Sequence, residues 1–168
     1  KTKDMDESIY LHMISDKTAS LFSASAEIGA ITAAASEKEQ QALKIFGEKL
    51  GIAFQIKDDL FDIIGNQDGL GKPTGFDVKK NMMTLPFIHF MSQIDKSKRR
   101  YYASKLKFYA KNKDLNEIKR MIEQSGSIEY SEDFMFKVSD QAIQELDIFS
   151  DSDAKKSLIL LVKYNLER

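Results

Sequence analysis

The sequence predicts an all-α protein, a bundle of helices in one domain spanning residues 1–168. The residue inventory points there first: two prolines, no tryptophan and little clustering of β-branched side chains. A long apolar stripe at helical spacing points there next, in Leu43, Phe46, Leu50, Phe54 and Phe61. The third observation is a capping box, Ser36 followed three residues later by Glu39, which marks where that helix begins.

The elements follow in order. Residues from about Glu7 to Ala35 read as helix, with a break placed near Ser15-Asp16. From Lys17 onward this segment is dominated by Ala, Ser and Gly, small enough for helices to approach closely or for a ligand to find room. The capped helix should run from about Glu37 to Ile64 and stop at Gly65. A loop then takes Asn66 to Asp77, holding three of the eight glycines and one of the two prolines. Loops of this length in compact domains usually serve function. Helices are expected again at about 83–93, 96–111, 114–124, 127–149 and 152–166, with Asp95, Asp114 and Asp151 as caps and Gly126 as a stop.

Composition narrows the function. Lys plus Arg is 25 and Asp plus Glu is 26, a net charge of −1, which leaves no electrostatic footprint for nucleic acid or an anionic membrane. Without cysteine there is no disulfide and no thiolate metal site, and a cytoplasmic setting fits. No apolar run is long enough to span a bilayer. The polar start, Lys1-Thr2-Lys3-Asp4, does not read as a signal peptide, and the lack of an initiator methionine suggests a start in mid-protein. The basic run Lys96-Ser97-Lys98-Arg99-Arg100 reads as a solvated helix face.

The chemistry concentrates in Asp58-Asp59-Leu60-Phe61-Asp62. On a helix, Asp58 and Asp62 stack one turn apart, with Asp59 beside them and Gln55 one turn earlier. Three carboxylates at the end of an apolar segment repel one another, so a hard divalent cation is expected between them. Mg²⁺ is commonly held by one or two carboxylates together with substrate phosphates. Lys72 in the glycine-rich loop, and Lys17 with the Thr18 hydroxyl beside it, would suit phosphate oxygens. Each feature also has a plain reading: exposed charge for the aspartates, a surface lysine for Lys17, tight packing for the small-residue helix. His12 and His89 have no partner at ligand spacing and are read as structural.

Together the motifs resemble a known family. Phe54-Gln55-Ile56-Lys57-Asp58-Asp59-Leu60-Phe61-Asp62, then Gly71-Lys72-Pro73-Thr74-Gly75-Phe76-Asp77 and Thr84-Leu85-Pro86, resemble the second aspartate-rich region of trans-isoprenyl diphosphate synthases. Lys17-Thr18-Ala19, about forty residues earlier, is similar to the lysine–threonine motif of those enzymes. The resemblance implies the C-terminal portion of an all-α isoprenoid-synthase fold. It makes Asp58, Asp59 and Asp62 ligands of Mg²⁺ and diphosphate, supported by Gln55, Lys17, Thr18 and Lys72. The implied reaction joins isopentenyl diphosphate to an allylic prenyl diphosphate in a closed, largely apolar site, and a homodimer is implied; Phe54 and Phe61 fit such a site and read equally well as core. The family's first aspartate-rich motif is absent here, so the chain alone should show no prenyl transfer. Met82 stands where many members carry a lysine, with Lys79 and Lys80 nearby. The alternatives are a non-catalytic subunit of a heteromeric synthase and a terpene cyclase.

Overall fold

A computed structural model describes residues 6–64, 84–112 and 114–167. The described residues are helical, and the connections described between helices are short turns. Helix α1 spans Glu7–Ile14. A π-helical turn, Ser15–Ala19, leads directly into α2, Ser20–Thr32. Helix α3 covers Glu37–Ile64, α4 Leu85–Gln93, α5 Lys96–Lys111 and α6 Leu115–Gln124. Helix α7, Ser127–Glu145, tightens into a 3₁₀ turn at Leu146–Ile148, and α8 spans Asp153–Glu167. The expected stop at Gly65, the loop of 66–77 with Lys72, and Lys79, Lys80 and Met82 lie outside the described residues.

The capping box forms as the sequence predicts. The Ser36 N–H and Oγ donate to Glu39 Oε2 at 2.8 and 2.6 Å, and the Glu39 N–H donates to Ser36 Oγ at 3.4 Å. These bonds hold the Glu39 carboxyl below its ordinary pKa. Asp114 caps α6 by accepting the Glu117 N–H, and Gly126 takes a left-handed φ of 70° after α6.

Three expectations need correction. Helix α2 ends at Thr32 rather than Ala35, because Ala34 turns left-handed at φ 52°. The N–H groups of Ala34 and Ala35 then reach back to the carbonyls of Ile31 and Ala30, a Schellman closure. The helix expected to reach Phe149 gives way at Leu146, where the 3₁₀ turn begins. The cap of α8 is Ser152, whose Oγ accepts the Lys155 N–H at 3.1 Å, while Asp151 only pairs loosely with Lys155 at 4.0 Å.

The described chain divides into two compact units. One takes residues from 1–10 and 58–132, the other from 11–57 and 133–168. The second unit has a core of Phe46, Leu50, Ala142, Leu146 and Val162, with Phe22, Leu43, Ile143 and Phe149 packed on it. Each large side chain buried there contributes about 1.5–3 kcal/mol. Within it α2 runs antiparallel to α3, so Ala19 meets Gly51, Phe22 meets Gly47, and Glu27 pairs with Lys44 at 3.1 Å. The small-residue helix is therefore a close-packing surface on this side. A side chain added at Gly47 would run into the Phe22 carbonyl, so glycine is required by proximity there.

In the first unit α4 and α5 both pack against α6. Leu85, Phe87, Ile88 and Phe90 of α4 are buried, as are Ile118 and Ile122 of α6. Pro86 sits in the first turn of α4, where no amide hydrogen is needed. The basic run at the start of α5 is largely solvated as expected. Arg99 turns back to donate to the carbonyls of Ile94 and Ser92, at the carboxyl end of α4. His89 stacks on Tyr130 with ring centroids 3.9 Å apart, and its Nδ1 lies 3.0 Å from Ser127 Oγ. That places His89 among structural contacts.

Candidate functional site

The aspartates stand on the last two turns of α3, which the capping box starts and the apolar stripe carries into the core. Their surroundings differ. Asp58 is exposed, Asp62 half-buried, and Asp59 only 5% exposed. The spacing explains this: Asp58 and Asp59 point about 100° apart with Asp62 between them, so Asp59 can turn inward while Asp58 stays exposed and Asp62 is intermediate. Asp59 turns to the buried Tyr10, whose hydroxyl donates to Asp59 Oδ2 at 2.7 Å. A buried carboxylate without such a donor would be costly. Three carboxylates converging on one point is not what forms: among the described residues no group of three or more His, Cys, Asp or Glu side chains is placed to hold a metal ion.

Sequence reasoning missed Tyr10. Its only signal is chemical: an aromatic carrying a hydroxyl needs a polar partner when buried, and nothing local names that partner forty-nine residues away.

Lys17, Thr18 and Gln55 belong to the second unit. Thr18 Oγ1 donates to Gln55 Oε1 at 2.7 Å, so the structure brings these two together. Lys17, one residue earlier in the π turn, is exposed. Such turns insert one residue into a helix and recur at functional sites. Here the insertion sets Ala19, fully buried, against Gly51 and leaves Thr18 directed at Gln55. Of the two candidate aromatics, Phe54 is half-buried against Phe22, with centroids 5.4 Å apart, and Phe61 is half-buried at the aspartate turn. Lys72 lies outside the described residues.

The donor set suits Mg²⁺ better than a softer metal. Asp58 and Asp62 supply hard oxygens one turn apart without full burial, and Mg²⁺ needs only one or two carboxylates when phosphates complete its shell. Imidazole and thiolate ligands are not offered at this turn. No helix among the described residues is long and apolar enough to cross a membrane.

The chain resembles proteins of known name along almost its whole length. The family model for polyprenyl synthetase matches residues 1–125. A short chain isoprenyl diphosphate synthase of Methanothermobacter thermautotrophicus is 32% identical over 165 residues, covering 98% of this chain and 50% of the relative. A geranylgeranyl diphosphate synthase of Saccharolobus solfataricus is 35% identical over 168 residues, with the same two coverages. Among solved structures, a geranylgeranyl pyrophosphate synthetase from Pyrococcus horikoshii superposes with a TM-score of 0.84 at 37% identity, over 95% of this chain and 48% of that one. A decaprenyl diphosphate synthase from Rhodobacter capsulatus gives 0.85 at 34% identity, over 98% and 51%. The chain spans about half the length of the curated relatives it matches.

Proposed function

Because the chain belongs to the polyprenyl synthetase family, we propose that it supplies the second aspartate-rich motif of a synthase that adds isopentenyl diphosphate to an allylic diphosphate, giving a linear polyprenyl diphosphate. One observation carries the reading: Asp58, exposed, and Asp62, half-buried, stand one turn apart just after the largely apolar run of 51–56. Oxygens so spaced suit a cation shared with a diphosphate. Asp58 and Asp62 would hold Mg²⁺, with Asp59 beside them. Bound there, the metal would neutralise charge on the departing diphosphate.

The chain's own side chains do the rest. Lys17 and Lys72 bring point charges that compensate phosphate oxygens. Thr18 fixes the amide of Gln55 through its 2.7 Å bond, which presets the orientation of a group that binds or positions the diphosphate. Phe54 and Phe61 put apolar surface on the same helix, where water must be kept from a reactive allylic cation. Magnesium dependence, assembly as a homodimer and a cytoplasmic location belong to this reading. The relatives named above are synthases of prenyl diphosphates, which gives the cyclase alternative no support.

The test is Asp58→Asn in a full-length enzyme containing this chain. Losing a carboxylate that would hold the cation on the leaving diphosphate should lower kcat by about 10²–10³-fold, with an unchanged circular dichroism spectrum. Near-normal turnover would remove the aspartate turn from the chemistry.

A further inference from the structure

We infer that Tyr10 is a positioning residue for the aspartate turn: its hydroxyl holds Asp59 so that the turn presents Asp58 and Asp62 to a divalent cation carrying diphosphate. The inference rests on the reading of the aspartates under Proposed function and extends it to a residue outside the motif.

The geometry argues for a use of the hydroxyl beyond packing. Tyr10 is 1% exposed and Asp59 5% exposed, so neither group is a casual surface contact. Phenylalanine would fill the same volume. Among the described residues the hydroxyl adds a bond to Oδ2 of Asp59, at a length typical of a charge-assisted O–H···O⁻ bond. That bond falls where it is most needed. Three aspartates within five residues of one helix are mutually unfavourable. A donor on the middle aspartate offsets part of that repulsion. It also fixes the side chain beside the two less buried ones. Tyr10 therefore sets the rest orientation of the turn before any cation arrives, as outer groups do for metal ligands.

The probe is Mn²⁺ with inorganic diphosphate, titrated into the full chain and followed by electron paramagnetic resonance. Removing an orienting partner of this kind typically costs 10–100-fold in metal affinity, so Tyr10→Phe should bind about 10–100-fold more weakly while its circular dichroism spectrum stays unchanged. Asp58→Asn should abolish binding at the same concentrations. Equal affinity in Tyr10→Phe and the unmodified chain, with Asp58→Asn impaired, overturns the positioning role alone. Unchanged binding in Asp58→Asn, or none by the unmodified chain, overturns the aspartate reading and this inference with it. If Tyr10→Phe does not fold, Asp59→Asn decides. Its amide oxygen still accepts the hydroxyl, so affinity should fall by less than the about 10–100-fold expected when the orienting partner is lost. A loss as deep as that of Asp58→Asn makes Asp59 a ligand in its own right and overturns the inference.

Discussion

Replacing Gly51 with alanine asks whether helix propensity or close packing governs the α2–α3 contact. Propensity alone favours the change, because alanine in a helix interior is better than glycine by about 0.8–1.0 kcal/mol. The contact opposes it. A Cβ at Gly51 would lie 2.5 Å from Ala19 Cα, 2.9 Å from Ala19 Cβ and 3.2 Å from Phe22 Cβ. Ordinary van der Waals contact begins at 3.4 Å, so α2 must retreat by roughly 1 Å. The nearest atom is backbone and cannot rotate away. Overpacking of this kind costs about 1–3 kcal/mol, and an immobile neighbour puts it in the upper part of that range. The net expectation is a loss of about 1–2 kcal/mol. Gly29, on α2 itself, is the control, since its added Cβ would meet nothing within 4 Å. Gly29→Ala should gain about 0.5–1 kcal/mol. In a protein of this size, 1 kcal/mol moves Tm by about 2–4 °C. Thermal unfolding should therefore shift in opposite directions for one and the same substitution. Gly47→Ala should behave like Gly51→Ala, with its Cβ 2.8 Å from Ser23 Cα. If Gly51→Ala raised Tm as Gly29→Ala does, α2 and α3 would not be in close contact and the argument would be wrong.

Two further outcomes are expected. Ala34 holds a left-handed conformation that costs an L-residue about 1–2 kcal/mol, so Ala34→Gly should raise the unfolding free energy measured by urea titration by a fraction to all of that amount; no rise would mean that the Schellman closure does not form. Burial pushes the His89 imidazole below its ordinary pKa of 6.5, with Glu7 opposing weakly. A depressed histidine contributes stability that is complete above 6.5 and lost as pH falls through it, because the unfolded chain then binds the proton first. The fall in Tm between pH 7.5 and 5.5 should therefore shrink in His89→Gln, and an identical fall in both proteins would rule the histidine out as its source.

The helix bearing the aspartates was readable from sequence because several local signals agreed. Ser36 and Glu39 marked its start, and Leu43, Phe46 and Leu50 carried one face to the core. Agreement of cap, period and propensity is what makes such an element legible. The break expected near Ser15-Asp16 is a π turn over Ser15–Ala19. One inserted residue leaves no local trace; it is set by Thr18 reaching Gln55 and by Ala19 seating on Gly51. The early end of α2 was hidden for a related reason. Ala33-Ala34-Ala35 is excellent helix-forming sequence, and only the left-handed turn at Ala34 overrides it. The aspartates, Thr18 and Gln55 were visible as motif residues, while the bond between Thr18 and Gln55 and the part of Tyr10 were not. Its role depends on a contact across forty-nine residues of chain, and no window of sequence contains both ends.

Gly47 and Gly51 sit four positions apart on one helix, like two detents on a rail. With a neighbouring backbone seated at both, α2 has no intermediate stop between one full helical repeat and the next. Thr18 therefore meets Gln55 at a single axial setting. The alignment of a hydroxyl with an amide is thus governed by two residues that possess no side chain at all.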